Sequence, residues 1–472
     1  MVATGGARLH GPIPPDAPTV DGRGHTQAMA NSPGAVTRHL RSPYDRDIAR
    51  LAVPALGTLV AEPLYVLADT AIVGRLGTNE LAGLALASTV LLSTHALVIF
   101  LAYGTTASVA RLVGARRDDD AAYQSLQGLW LAALLGLAFT LVIGLTDQWL
   151  LRILGGAGEP MVAATRYLRI SLVGLPFMFL VLAGSGAFNG RQDTRTPLVI
   201  AVAGAVANLV IEVVLVAFLG YGIGASALAT VIAQVATGSI FVHRIVRWCR
   251  SAGVGLRPDP GAIRALAWLG RALVLRSIGL RGSFTLAAAV AARIGTAPLA
   301  AYQVGIQIWS TLALALDAVA IAGQALTGKW LGAGSAAKAR AAARRMIQLD
   351  IAVAAVMAVI VMVGREPLAR IFSADPEVVA ATTAVLVWVA LTQPLNGYVF
   401  ALDGILIGAG DMSYLGRTMM VSAAVFALEA WWLLESGRDL NWLWAAITVF
   451  MTTRAFFLWW RWRSDRWLVL GV

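Results

Sequence analysis

Beyond about residue 43 the chain repeats one pattern, in which long apolar runs alternate with short loops carrying charge, glycine or proline. An apolar run of about 20 residues is long enough to cross the hydrocarbon core of a bilayer as a helix, where the backbone must satisfy its own hydrogen bonds. The runs predict helices at 50–74, 81–112, 125–146, 162–188, 196–219 and 224–248, then at 268–292, 298–329, 346–363, 378–407, 415–434 and 442–461. Twelve spans is the best count. Several exceed the bilayer thickness, so their ends should project from the membrane or the helices should tilt. The segment from Met1 to about Pro43 is rich in Pro, Gly and Ala and lacks the apolar stretch of a secretory signal. It is expected to form a disordered cytoplasmic tail over residues 1–46.

Composition points the same way. Of 472 residues, 58% are apolar and only 13% charged, and mean hydropathy is +0.72, which a water-soluble core cannot absorb. The predicted class is an all-α integral membrane protein. The 37 Lys+Arg against 26 Asp+Glu fit basic cytoplasmic loops better than nucleic-acid binding. With both termini inside, the cytoplasmic side takes Arg38, Arg41 and Arg46, the Arg111, Arg116 and Arg117 group, Arg191 and Arg195, Arg244 to Arg264, Lys329 to Arg345, and Arg461 to Arg466. The excess over the opposite side is roughly threefold. WWRWRSDRW, Trp459 to Trp467, is expected to anchor at the inner interface. One cysteine, Cys249, excludes an intrachain disulfide, and five scattered histidines show no zinc spacing.

A constant shift aligns the two halves of the chain. It places RLGTNELA, from Arg75, on RIGTAPLA, from Arg293, a shift of 293 − 75 = 218, and without a gap puts Gly114 on Gly332, Pro176 on Pro394, and Gly190 and Asp193 on Gly408 and Asp411. Six spans separate the copies, an even number, so the expected architecture is two six-helix bundles related by a parallel internal repeat about an axis along the membrane normal. The divisions predicted are an N-lobe at 47–248, a cytoplasmic linker at 249–267, a C-lobe at 268–464 and a C-terminal tail at 465–472. Duplicated bundles of this kind point to a transporter rather than a receptor or scaffold.

EPLYVLADTAIVGRLGTNELAG (Glu62 to Gly83), FNGRQDTRTP (Phe188 to Pro197) and ALDGILIGAGD (Ala401 to Asp411) resemble the multidrug and toxic compound extrusion (MATE) transporters, in their DNA-damage-inducible (DinF-like) branch. The similarity runs from about Asp47 to the last helix. It implies a two-lobed secondary active exporter of cationic or amphipathic small molecules, exchanged for protons or sodium by alternating access. It also implies an N-lobe cation site at Asp69, Asn208, Glu212 and Thr230, where Glu212 replaces the family's usual Asp, and a bending first-helix proline at Pro54. No resident metal or cofactor is expected, with sodium at Asp69, Asn208 and Glu212 as the possible metal ion.

The residues themselves support an acid-based site, because a carboxylate in hydrocarbon costs several kcal/mol or more unless protonated, paired or hydrated. Glu62 and Asp69 are seven apart, about two turns, and Asn208 and Glu212 four apart, so each pair shares a helix face. A carboxyl that gains and loses a proton there would act as a switch between a dry closed lobe and a wet open one. The alternative role for each acid is a structural hydrogen bond to a neighbouring helix. The repeat sets Ala287, Phe426 and Ala430 opposite Asp69, Asn208 and Glu212, so the C-lobe lacks this cluster. It carries Asp317 and Asp403, expected with Gln303, Gln307, Gln324, Gln393 and Asn396 to line a substrate cavity or to hold helices together. Tyr65, Tyr103, Tyr302, Trp309 and Tyr398 are candidate faces for a drug cation, or packing contacts. No acid occurs in the seventh helix, where the sodium-linked branch of the family carries one, so the resemblance implies protons over sodium.

GQALTGKW, from Gly323, has the Walker A spacing but ends in Trp330 where magnesium needs Ser or Thr, and GYGIGAS, from Gly220, follows no strand. No enzyme is expected. Asp193 and Asp411 should cap the helices that follow them. The rival function is a lipid or lipid-linked precursor flippase of the same superfamily, which would want a cationic cavity, and Arg276 and Arg281 leave it open. The expected partners are a small-molecule substrate and the lipid bilayer, with no nucleic acid and a monomeric state, and the expected location is the plasma membrane.

Overall fold

A computed structural model describes residues 42–471. The expected N-terminal tail lies, through residue 41, outside the described residues. The helices are α1 (Asp45–Val73), α2 (Thr78–Val98), α3 (Phe100–Gly114), α4 (Asp118–Ile153), α5 (Gly158–Ser171), α6 (Leu175–Gly190), α7 (Arg195–Glu212) and α8 (Ile223–Ser251). They continue as α9 (Pro260–Ile294), α10 (Thr296–Gly332), α11 (Ala336–Phe372), α12 (Pro376–Gly408), α13 (Met412–Ser436) and α14 (Leu440–Arg463). Among the described residues, eleven spans are continuous and apolar enough to cross a membrane, counting Thr78–Gly114 as one, and the pair α5 and α6, bent by 53°, makes a twelfth.

Most boundaries lie outside the predicted ones, because charged and small residues prolong a helix beyond its apolar run. α11 begins ten residues before the expected 346, through AAKARAAARR, and α9 starts at Pro260, where the fixed φ of proline suits the first turn. The expected linker thereby shortens to residues 252–259. Asp259 caps α9, accepting from the Gly261 and Ala262 backbone N–H groups at 2.8 and 3.3 Å. Asp193 likewise accepts from the Thr196 N–H at 3.1 Å. Asp411 does not cap; its carboxylate pairs instead with Arg461 of α14.

Three spans are irregular. Ile99 separates α2 from α3, the fourth span breaks over 172–174 ahead of Pro176, and α7 passes after Glu212 into a π-helical stretch, Val213–Phe218. Prolines 54 and 63 both lie inside α1, which continues through them.

Close approaches of backbone repeat with the sequence. A Cβ on Gly186 would lie 2.4 Å from the Ala102 carbonyl oxygen, and one on Gly404 would lie 2.4 Å from that of Ala320. Both pairs differ by 218, so the two bundles are built alike. Between the halves, α10 packs against α1 and α3. Ala55 meets Ala318 and Ile321, and Lys329 Nζ donates to Gln192 at 2.8 Å. These contacts run from the end rich in Arg and Lys up to the pair Tyr103 and Asp317.

Candidate functional site

The sequence places Asp69 late in α1, Asn208 and Glu212 late in α7, and Ser226 and Thr230 in the first turns of α8, so all face one region of the first bundle. Asp69 is 4% exposed and accepts from Ser226 Oγ at 2.6 Å. Thr230 Oγ1 receives Asn208 Nδ2 at 3.2 Å, lies 3.0 Å from the Tyr65 hydroxyl, and donates to the Ser226 carbonyl at 3.2 Å. Tyr167 of α5, which sequence reasoning missed, is buried beside Tyr65 and Thr230. Glu212 is 0% exposed and adjoins Asp69 and Ser226, yet neither carboxylate oxygen has a hydrogen-bond partner among the described residues. The Asn208 Oδ1 is also unpartnered. Two neighbouring carboxyls without a counter-charge, with free hard oxygens around them, suit a proton or a small hard cation.

The π-helical stretch begins one residue after Glu212. Such stretches cost helix hydrogen bonding and recur at functional sites. Here it ends at the turn where Gly220 adopts φ +70°, a left-handed conformation that glycine takes at little cost.

Glu62 does not join this cluster. Seven residues share a helix face but separate the side chains by about 10 Å along the axis. Glu62 is half exposed and faces His95 Nδ1 at 3.8 Å. Gln303 and Gln307, one turn apart on α10, are exposed too. Charged and amide groups exposed within apolar spans are costly to set against lipid.

The second bundle corrects several expectations. Asp403 is not free to meet a cation: Arg276 Nη2 lies 2.7 Å and Arg454 Nη2 2.6 Å from its Oδ2, and both Asp403 and Arg454 are buried. Arg454 had no motif to mark it. Asp317 is hydrogen-bonded instead to the first bundle, by the Tyr103 hydroxyl at 3.2 Å. Gln324, Gln393 and Asn396 are each 1% exposed, enclosed within the second bundle. Tyr302 donates to the Phe284 carbonyl at 2.8 Å and Trp309 packs on Phe284 and Phe400, so both are core residues. Tyr398 is partly buried. The Walker-like stretch lies wholly within α10.

Twelve apolar spans among the described residues, in two like bundles with carboxylates buried between the helices, give the architecture of a multi-pass membrane transporter. The chain belongs to the MatE family: the family model matches residues 54–214 and again 272–430, starting points 272 − 54 = 218 apart. It is 30% identical over 436 residues to DNA damage-inducible protein F of Escherichia coli K12, covering 90% of this chain and 94% of that one. It is 31% identical over 424 residues to Protein DETOXIFICATION 44, chloroplastic, of Arabidopsis thaliana, covering 86% and 80%. Its fold is shared with a MOP-superfamily transporter of Pyrococcus furiosus, at TM-score 0.82 and 22% identity over 90% of this chain and 97% of that one. The comparisons lend no support to the flippase alternative.

Proposed function

We propose that the protein is an antiporter that exports cationic or amphipathic small molecules in exchange for protons. The observation that carries this reading is the pair of buried carboxyls, Asp69 and Glu212, in contact with Ser226 and with the Asn208, Thr230 and Tyr65 hydrogen bonds. Proton arrival neutralises the pair and lets the bundle close dry around it, whereas loss of the proton draws in water or a positively charged cargo. Asp403 contributes nothing to cargo charge on this reading, because its two arginines already hold it. The absence of any acid in the seventh span favours protons over sodium. Pro54, which removes one backbone hydrogen bond from α1, is the hinge. The two bundles are the lobes that move. The location proposed is the plasma membrane, as a monomer with both termini cytoplasmic, on the strength of the basic end.

The test is efflux of a cationic dye from proteoliposomes under separately imposed proton and sodium gradients. Wild type should respond to the proton gradient, and Asp69→Asn and Glu212→Gln should export no faster than protein-free vesicles. Wild-type rates in both variants would remove these acids from coupling.

A further inference from the structure

A second group of polar side chains is sealed inside the other bundle, away from Asp69 and Glu212. Asp350 on α11 is 0% exposed, and neither of its carboxylate oxygens has a hydrogen-bond partner among the described residues. Gln393 and Asn396 on α12 are each 1% exposed, and all four of their amide atoms are likewise unpartnered. The backbones meet at this level. A Cβ on Gly397 would lie 2.7 Å from the Asp350 carbonyl oxygen and 2.8 Å from Ala354 Cβ, so only glycine permits the approach. Asn396 and Gln393 stand one and four residues before that contact, within about one turn of it.

Among the described residues, the helices packed against Asp350 offer it no free cation. From α10 the nearest is Asp317, another acid. From α12 it is Asp403, already held by Arg276 and Arg454. Along α11 it is Arg345, five residues towards the basic end, whose guanidinium engages Asp45 at 2.6 Å. An ionised carboxylate here is 0% exposed and faces no counter-charge among the described residues, a costly state for a buried acid. A neutral acid is different: its hydroxyl can donate to an amide oxygen and its carbonyl can accept from an amide N–H, and Gln393 and Asn396 supply both.

We propose that Asp350, with Gln393 and Asn396, is a second proton-exchange site, which keeps its proton while α11 and α12 are pressed together and yields it when they part. The proton passes from the carboxyl to a water entering the parted interface, and the water that follows solvates the carboxylate left behind. Its position, about 7.5 Å along α11 from Arg345, directs that release towards the basic end. The site rests on the reading of the chain as an ion-coupled transporter, but its test does not require transport.

The test is infrared difference spectroscopy of the full-length protein in lipid, acid minus alkaline, in an Asp69→Asn/Glu212→Gln background that silences the first pair. The expected result is a carboxyl C=O band that is lost as pH rises, is missing when Asp350→Asn is added, and shifts its midpoint in Asn396→Ser, which leaves the carboxyl in place. An unchanged difference spectrum on adding Asp350→Asn would overturn the proposal. So would a band that answers to sodium and not to pH, and an unmoved midpoint in Asn396→Ser would remove the amide from the site. If dye efflux proves uncoupled from protons while the band behaves as expected, the antiport reading falls and the exchange site stands. Proton-coupled efflux without the band removes the exchange site and leaves antiport standing.

Discussion

Gly114 and Gly332 face each other's helices in a reciprocal contact: a Cβ on Gly114 would lie 2.0 Å from the Lys329 carbonyl oxygen, and one on Gly332 would lie 2.0 Å from that of Arg111. Both Gly114 with Gly332 and Arg111 with Lys329 are 218 apart, so the pseudo-two-fold axis passes through this crossing of α3 and α10, with each partner presenting the same patch to the other. The contact holds the two halves together at the basic end, and on the proposed alternating-access reading it must separate for that end to open.

Adding one methyl group should therefore bias the transporter against the shape described here. Gly332→Ala must push α3 and α10 apart or displace backbone, a cost of about 1–3 kcal/mol for overpacking, borne only by the state with this end closed. With Gln303→Cys as a reporter on the opposite half and Cys249→Ala to clear the background, the rate of maleimide labelling should fall in Gly332→Ala and in Gly114→Ala. Unaltered labelling in both would mean that this crossing does not move during the cycle.

The triad of Arg276, Asp403 and Arg454 leads to a second expectation. Asp403→Asn would leave the buried Arg454 guanidinium and the part-buried one of Arg276 facing a neutral amide, and breaking a buried pair costs about 3–5 kcal/mol. The melting temperature should drop markedly, while the affinity of the protein that stays folded for a cationic dye remains that of wild type. A stable variant with weakened dye binding would return Asp403 to the cargo site.

Much of this is legible in the sequence, for identifiable reasons. The spans are legible because apolar length is a coarse signal, and the repeat because Gly114, Pro176 and Gly190 recur at one shift. Asp69, Asn208 and Glu212 stand out because polar groups in apolar runs are few, and family resemblance joins them to Thr230. The partners of Asp403 do not stand out: Arg276 and Arg454 lie 127 and 51 residues away, and no local pattern encodes such distances. Asp350 carries no such signal, because a helix expected to start at 346 makes it look like a residue of the helix end. The π-helical stretch after Glu212 has no residue signature at all, since VVLVAF would serve equally well in a regular helix. Glu62 shows the limit of periodicity, which fixes a face but not a depth.

Asp259 provides a pH-dependent prediction outside the membrane spans. The Tyr123 hydroxyl, and then the Gly261 and Ala262 N–H groups, hold its carboxyl below the usual carboxylate range. The unfolded chain therefore binds the proton more readily, and stability rises with pH through this interval. The contribution is complete above the ordinary Asp value of about 3.9 and disappears as pH falls through the lower folded value. At neutral pH Asp259→Ala should melt below wild type, and the gap should close in strongly acidic buffer. A gap that persists unchanged in acid would mean that the carboxylate charge is not what caps α9.

The last segment of the chain straps the closed end together. Arg111 of α3 donates to the carbonyl oxygens of Gly471 at 3.0 Å, Val469 at 3.1 Å and Ala409 at 2.6 Å, and the Gly471 N–H donates to Leu331 of α10 at 3.0 Å. Trp467, 1% exposed, stacks on Trp462 at 5.0 Å, and Asp465 pairs with Arg340 of α11 at 2.8 Å. One guanidinium thus ties the first bundle to a segment anchored on the second, and hydrogen bonds from a charged donor are worth about 1.5–3 kcal/mol each. Arg111→Met, or removal of residues 468–472, should favour separation of α3 from α10, and a net loss of about 2 kcal/mol would change that equilibrium roughly thirtyfold. Spin labels placed on the two bundles at the basic end should report a longer distance in both variants. Distances matching wild type in both would show that the crossing of Gly114 and Gly332 closes this end without help from the strap.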